Sequence, residues 1–204
     1  ANETYQIWTR PAPMADFKAH SFVNLSNMTG LLEVKENAEY KHLQQSDTRE
    51  QATLVTYGGL FGISRQAIIN DDLNAFTRTP QLMGLAAARK VGDLAYGVLT
   101  LNAAMADTVA LFHADHANLI APGSGAAPSV TTLGTGRTAM RRQTDPKSVT
   151  LNIQPKYLLV PVTLEDNSRV LASAIYDPDT ANKLQKPNPV KEYNLTVVSD
   201  PRLD

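Results

Sequence analysis

The run TPQLMGLAAARKVGDLAYGVLTL, residues 79–101, constrains this chain more than any other segment, because it reads as a single long helix. Thr79 is placed to cap a free backbone N–H, and Pro80 suits a first helical position, where its φ is already set and no hydrogen bond is lost. From there Met83, Ala87, Val91, Leu94, Val98 and Leu101 recur at helical spacing, with Arg89, Lys90 and Asp93 between them. That period predicts one buried face and a mixed remainder. A helix from Pro80 to Leu101 would be roughly 33 Å long, about the diameter of a small domain, so it needs a large partner surface. Gly84, Gly92 and Gly97 each cost about 1 kcal/mol against alanine in a helix interior, which predicts close approach of another element. The preceding stretch, YGGLFGIS at residues 57–64, reads as a glycine-broken strand.

Composition sets wider limits. A chain of 204 residues can bury a real core, as one domain or two intimately joined ones. It has no cysteine, which excludes a disulfide framework and thiolate chemistry. Nineteen lysines and arginines nearly balance twenty aspartates and glutamates, so no polybasic field is available to hold nucleic acid by counterion release. No apolar run reaches membrane-spanning length, and the first residues lack the basic-then-apolar layout of a signal peptide. The expectation is a soluble, non-secreted protein with no membrane partner and no specific nucleic-acid partner.

Along the chain, residues 1–16 carry Pro11 and Pro13 and little periodicity, which reads as an extended arm rather than a packed element. His20, Phe22, Val23 and Leu25 form a short strand-like patch, and residues 31–34 a second one. Residues 39–56 are polar in the middle, from Gln44 to Glu50, between Tyr40 and His42 on one side and Leu54 and Val55 on the other, which predicts a projecting hairpin with a polar tip. Such a hairpin buries little of its own surface and is either a mobile loop or an arm covered by a neighbour. APGSGAAPS at residues 121–129 is a loop, and residues 131–143 read as a helix capped by Thr131 or Thr132, with Arg137, Arg141 and Arg142 toward the end that favours cations. YLLVP at residues 157–161 reads as a buried strand leading into a helix over residues 163–174, with a last strand over residues 193–198. Strands and helices mix without regular alternation, which argues an α+β fold.

Four clusters bear on chemistry. FHADH at residues 112–116 places His113, Asp115 and His116 within four positions, all ligand types that zinc accepts. A site needs three convergent ligands, however, and no recognisable third histidine or cysteine completes a motif, so the residues favour a turn ordered by Asp115. Ser64 in FGISR lacks the glycine two positions on that a nucleophile elbow needs, since Gln66 stands there. Gly134 and Gly136 before Arg137 resemble a phosphate loop without its closing lysine-serine or lysine-threonine pair. Asn70, Asp71 and Asp72 offer oxygen ligands to a divalent cation, although such runs more often cap a helix. No catalytic residue, metal or cofactor is expected from these.

Several phrases, taken together, are specific: EYKH at residues 39–42, LVTYGGLFGISRQAIINDDL at 54–73, AFTRTP at 75–80, AAAR at 86–89, ALFHADH at 110–116, YLLVP at 157–161, NPV at 188–190 and SDPRLD at 199–204. In these the chain resembles tailed-bacteriophage and prophage major capsid proteins, in the branch similar to the Mu-like major head subunit. The resemblance implies the Hong Kong-97-type capsid fold, with an amino-terminal arm over residues 1–30, an extended hairpin loop over 31–56, a peripheral domain with a spine helix over 57–110, and an axial domain over 111–204. Relatives of this kind continue past SDPRLD with further strands, which implies an incomplete carboxyl end. The function implied is a structural subunit, not an enzyme, that self-associates into pentamers and hexamers of a shell around packaged double-stranded DNA, with scaffolding, portal or decoration proteins as further partners. Its place would be the virion capsid, and the host bacterial cytoplasm during assembly. Glu39, Lys41, Arg49 and Glu50 in the hairpin, and Arg65, Asp71, Asp72 and Arg78 around the spine, are the expected intersubunit contacts. The competing expectation is a metal-dependent hydrolase or maturation enzyme using His113, Asp115 and His116.

Overall fold

A computed structural model of the chain describes residues 3–26, 42, 47–70, 78–120, 127–145, 147–178 and 186–204. The apolar patch at residues 31–34, most of the loop at 121–129, and the contact candidates Glu39, Lys41, Asp71 and Asp72 lie outside these residues. The chain divides into two compact units, one of residues 1–19 and 53–101 and the other of residues 20–52 and 102–204.

The first unit is built on the long helix. A one-turn helix α1 (Tyr5–Trp8) and a short α2 (Arg65–Ile69) accompany α3 (Thr79–Leu101). Thr79 is the first helical residue of α3, not its cap. At about 1.5 Å per residue, α3 is roughly 35 Å long. The face predicted to be buried is not: Met83, Val91, Leu94, Val98 and Leu101 are all exposed, as are Leu82 and Leu85. The buried residues of α3 are Gly92 and Tyr96, four apart and on a different stripe. The amino-terminal residues explain that stripe. Within the stretch read as an extended arm, residues 5–8 form α1, and Trp8 meets Tyr96 edge-on with ring centroids 5.4 Å apart. Trp8 Nε1 donates to the Tyr96 hydroxyl at 3.2 Å, and Thr4 Oγ1 lies 2.8 Å from the same oxygen. A buried tyrosine hydroxyl requires such partners, and here they are supplied from about ninety residues away in sequence.

Residues 57–64 form no strand. Ser64 caps α2 by accepting the Ala67 N–H at 3.2 Å, so the serine weighed as a nucleophile is a helix cap. Lys90 of α3 sits 4.9 Å from the centre of the Tyr57 ring, which holds this loop beside the helix by a cation–π contact. A side chain at Gly84 would meet nothing within 4 Å, and one at Gly97 only Leu101 of the same helix. The close approach predicted for these two glycines is therefore absent from the described chain.

In the second unit, β1 (His20–Leu25) pairs antiparallel with β2 (Asp47–Ala52), with Phe22 opposite Glu50 and Val23 opposite Arg49. The polar residues Asp47 to Glu50, expected at a hairpin tip, are themselves strand, and their partner is the patch at His20. Backbone pairing does not discriminate against polar side chains when both faces of a ribbon meet water, and both strands are exposed almost throughout.

The core of this unit lies further along the chain. α4 (Val130–Arg142) starts at Ser129, whose hydroxyl accepts the Thr132 N–H while Thr132 Oγ1 accepts the Ser129 N–H. Ser129 is thus the cap and Thr132 its reciprocal partner, so the cap lies two to three positions before the expected Thr131 or Thr132. β3 (Tyr157–Val160) runs parallel to β4 (Thr196–Ser199), joined by a crossover through α5 (Glu165–Ser173). Val160, Leu171, Val190 and Val198 are buried where α5 crosses the strands. The Ser199 side chain hydrogen-bonds Glu165, which, with Arg169, holds that carboxyl below its ordinary range and ties the start of α5 to β4. Asn188, almost fully buried, donates to the Leu171 and Ala174 carbonyls at 2.8 and 2.9 Å and accepts the Val190 N–H at 3.0 Å. One side chain thereby satisfies the last carbonyls of α5 and fixes the turn that follows. Mixed elements of this kind make the fold α+β.

Candidate assembly surface

The histidine cluster is resolved by its hydrogen bonds. Residues Ala114–His116 form one turn of 3-10 helix capped by His113, whose Nδ1 accepts the Asp115 N–H at 3.2 Å. That bond uses the lone pair a metal would need. His116 turns away to Asp107, with Nε2 2.7 Å from Oδ2, and its Nδ1 lies 3.2 Å from the Leu111 carbonyl oxygen. A carbonyl and a carboxylate only accept, so both ring nitrogens donate and the imidazolium is favoured. The Asp107 hydrogen bond, followed by that to Leu111, raises the His116 pKa above its ordinary value, and the same bond depresses that of Asp107. A doubly protonated imidazole has no lone pair left for a cation. Among the described residues no group of three histidines, cysteines or carboxylates is placed to hold a metal. The metal-hydrolase expectation therefore loses its site.

These side chains instead brace a compact loop. Asp107 Oδ1 accepts the Val109 N–H at 2.9 Å inside a tight turn closed by the Met105–Val109 bond. Asn102 donates to the Phe112 carbonyl and accepts the Phe112 N–H, Asn118 spans His113 and Leu111, and Gln143 reaches the His116 carbonyl from the end of α4. Asp107, the partner that completes this network, was missed by sequence reasoning. It lies nine positions from His116 on the far side of a turn, and no spacing rule joins them.

The remaining features are surfaces. On α3 the exposed residues Met83, Val91, Leu94, Val98 and Leu101 make an apolar face of the kind that isolated soluble chains seldom leave open. Leu60 is fully exposed at 106% and Phe61 is half exposed, in a loop with no charged residue from Thr53 to Ser64. In the second unit a groove of about 900 Å³ runs between α4 and β3, lined mainly by apolar side chains that include Leu133, Met140, Ile153, Leu158 and Leu195. No described helix is long and apolar enough to cross a membrane.

The expected contact residues are distributed as follows. Arg49 is exposed on β2. Glu50, its neighbour, accepts the Ala106 N–H through both carboxylate oxygens at 3.2 Å, so it also pins the ribbon to the 103–111 turn. Arg65 begins α2 and Arg78 directly precedes α3, both exposed.

Exposed apolar faces of this extent suit a building block, a protein whose surfaces are completed by other chains. Residues 48–204 match the model of the phage capsid protein family, and the chain belongs to that family. Among solved structures, it is similar to a chain of the capsid of bacteriophage JBD30 decorated with minor capsid protein trimers, with a TM-score of 0.70 and 16% identity over 100% of this chain and 95% of that one. At that identity the likeness shows the fold, which is that of a phage capsid subunit. No curated protein matches the chain. The protein is a structural capsid subunit of a bacteriophage.

Proposed function

We propose that this subunit, a member of the Mu-like branch, self-associates into pentamers and hexamers that tile an icosahedral shell around packaged double-stranded DNA. The observation that carries the proposal is the α3 face, where Met83, Val91, Leu94, Val98 and Leu101 stand exposed on a helix long enough to span a small domain. At about 25 cal/mol per Å², covering such a face contributes several kcal/mol per subunit, enough to drive assembly when repeated around a ring. Adjacent subunits would meet through heterologous contacts, with the 31–56 hairpin laid over the next subunit's spine and the 1–30 arm clamping from below. Glu39, Lys41, Arg49, Glu50, Arg65, Asp71, Asp72 and Arg78 would supply rim ion pairs, each worth under about 1 kcal/mol and serving register more than affinity. On this reading residues 57–110 form the peripheral domain and 111–204 the axial domain, assembly takes place in the bacterial cytoplasm, and the chain needs no enzymatic activity.

Decoration proteins are natural further partners, since the JBD30 capsid carries minor capsid protein trimers; scaffolding and portal proteins are others. The test is mass against concentration by light scattering after size exclusion, with electron microscopy of any heavy fraction. Rings, tubes or shells that disappear in Val91→Asp are expected. A strict monomer at every concentration, alone and with its phage's scaffolding protein, would overturn the proposal.

A further inference from the structure

The carboxyl-terminal half of α4 carries a second feature that shell building does not use. Arg137, Arg141 and Arg142 surround a polar cavity of about 300 Å³ whose other walls are Gly134, Thr138, Asn152 and Tyr193. None of these is a carboxylate. Among the described residues three other cations of this unit lie against acids, Arg169 2.7 Å from Glu165, Arg202 3.3 Å from Asp200 and Lys186 3.1 Å from Asp177, whereas Arg49, Lys147, Lys156 and Lys191 do not. Arg137, Arg141 and Arg142 make no such pair among the described residues.

Two of the three guanidinium groups are held by other segments. Arg137 stacks over the Tyr193 ring, 4.3 Å from its centre, with the tyrosine contributed by the turn at Pro189–Tyr193. Arg141 donates its Nε to Asn152 Oδ1 at 2.8 Å, which leaves the two terminal nitrogens of its fork for another acceptor. Asn152 has φ 49°, a left-handed conformation that asparagine tolerates better than most residues. Basic residues at a helix carboxyl end suit the dipole, but the dipole does not call for a stacked tyrosine and an asparagine brace on two of them. Held this way, the guanidinium groups lose less freedom on meeting a ligand, and their planar forks match the oxygens of a phosphate.

We infer that this cavity is a phosphate-binding site, taking the phosphodiester backbone of nucleic acid without regard to sequence, or free phosphate. Three converging positive charges with no acid in the wall favour a phosphate over a single carboxylate. Gly134 and Arg137, read from sequence as an incomplete phosphate loop, do line it, although they stand inside a helix and the missing lysine is replaced by arginines one and two turns apart. Binding at one cavity is weak. A chain of net charge −1 has little general attraction for DNA, so the contact would be felt only where many copies face the same polymer.

The test is arginine Nε–Hε nuclear magnetic resonance on the full chain, titrated with inorganic phosphate, with a 16-base-pair duplex of arbitrary sequence, and with a glutamate-rich peptide. Phosphate should shift Arg137 and Arg141 saturably while leaving Arg169 and Arg202 in place. Arg141→Gln should weaken phosphate about tenfold, and Arg137→Lys, which keeps the charge but not the fork, should weaken it less. A duplex that binds with a shallow salt slope through the same resonances identifies the nucleic-acid backbone as source, whereas binding of phosphate alone identifies free phosphate. Equal shifts at all arginines, or an acidic peptide that binds these resonances more tightly than phosphate does, would overturn the inference, the latter in favour of a partner protein's carboxylates. Circular dichroism of each variant separates loss of binding from loss of fold.

Discussion

The α5 crossover and the α3 helix handle their apolar residues in opposite ways. Around α5 the surface is closed from within: Leu171 and Val190 are fully buried, Val160 and Val198 nearly so, and Ser168, Asn188, Asp177 and Asp200 are buried with hydrogen bonds or ion pairs to hold them. Along α3, only Gly92 and Tyr96 are buried and most of the large apolar side chains, Leu99 excepted, are exposed. Both helices are amphipathic by sequence. The lesson is that periodicity states which residues need cover, and only the fold states whether the same chain supplies it.

The sharpest way to break the comparison is to remove the same kind of group from each. Leu171→Ala opens a cavity in a closed core and should lower unfolding free energy by about 3 kcal/mol. Val91→Ala on α3 should change it by less than about 0.5 kcal/mol in the isolated chain, since it truncates an already exposed side chain. Urea unfolding of both variants decides the matter, and equal costs would show that α3 is covered in solution.

A smaller effect probes polar satisfaction within the closed region. Asn188→Ala strands the Leu171 and Ala174 carbonyls and the Val190 N–H, and should cost about 2 kcal/mol. Asn188→Asp sharpens the reading: it retains the acceptor for Val190 but sets a carboxylate against two carbonyl oxygens, so it should be no more stable than the alanine variant.

How much of this was legible depends on the range over which each feature is determined. α3, α4, β1 and β3 were readable because caps, prolines and apolar periods act within a few residues, as Pro80 and the Ser129–Thr132 pair illustrate. The pairing of β2 with β1 was not, since Asp47 to Glu50 carry no strand signature and pair through the backbone, with only a long Thr48 Oγ1 bond to the Asn24 carbonyl added. Residues 1–16 were read as an extended arm because two prolines outweigh four residues of helix, and nothing local announces that Thr4 and Trp8 share the Tyr96 hydroxyl. His113, Asp115 and His116 stand out as a group by spacing, but the structure divides them: His113 caps the turn at Asp115, and His116 pairs with Asp107, which a reverse turn brings in.

On the open side of the comparison, the Tyr96 stripe is the exception, and Tyr96→Phe tests it. Loss of the hydroxyl leaves the Trp8 indole N–H and the Thr4 hydroxyl without that partner, a cost of about 1 kcal/mol in a half-buried setting. The ring still packs, so the fold should survive while limited proteolysis near residues 9–16 accelerates severalfold. An unchanged cleavage rate would mean that α1 is held by the ring contact alone.

The smallest expected effect is the dependence on pH set by Asp107 and His116. The His116 pKa is raised above its ordinary 6.5. Its contribution to stability is thus fully present below 6.5 and fades as pH rises through the higher folded value. Asp107 is lowered below its ordinary 3.8, so its contribution is present above 3.8 and fades as pH falls through the lower folded value. The two overlap between 3.8 and 6.5, where the ion pair is intact, and the loop carrying Ala114–His116 should be most protected there. Amide hydrogen exchange of Val109 and His116 should therefore show protection that declines above neutral pH, after correction for the intrinsic rate. Asp107→Asn preserves an acceptor for the Val109 N–H while removing the charge, so it should lower the His116 midpoint and flatten that decline. A His116 titration midpoint at or below 6.5 in the unmodified chain would show that the pair does not form in solution, and the loop would then be held by Asn102, Asn118 and Gln143 without help from charge.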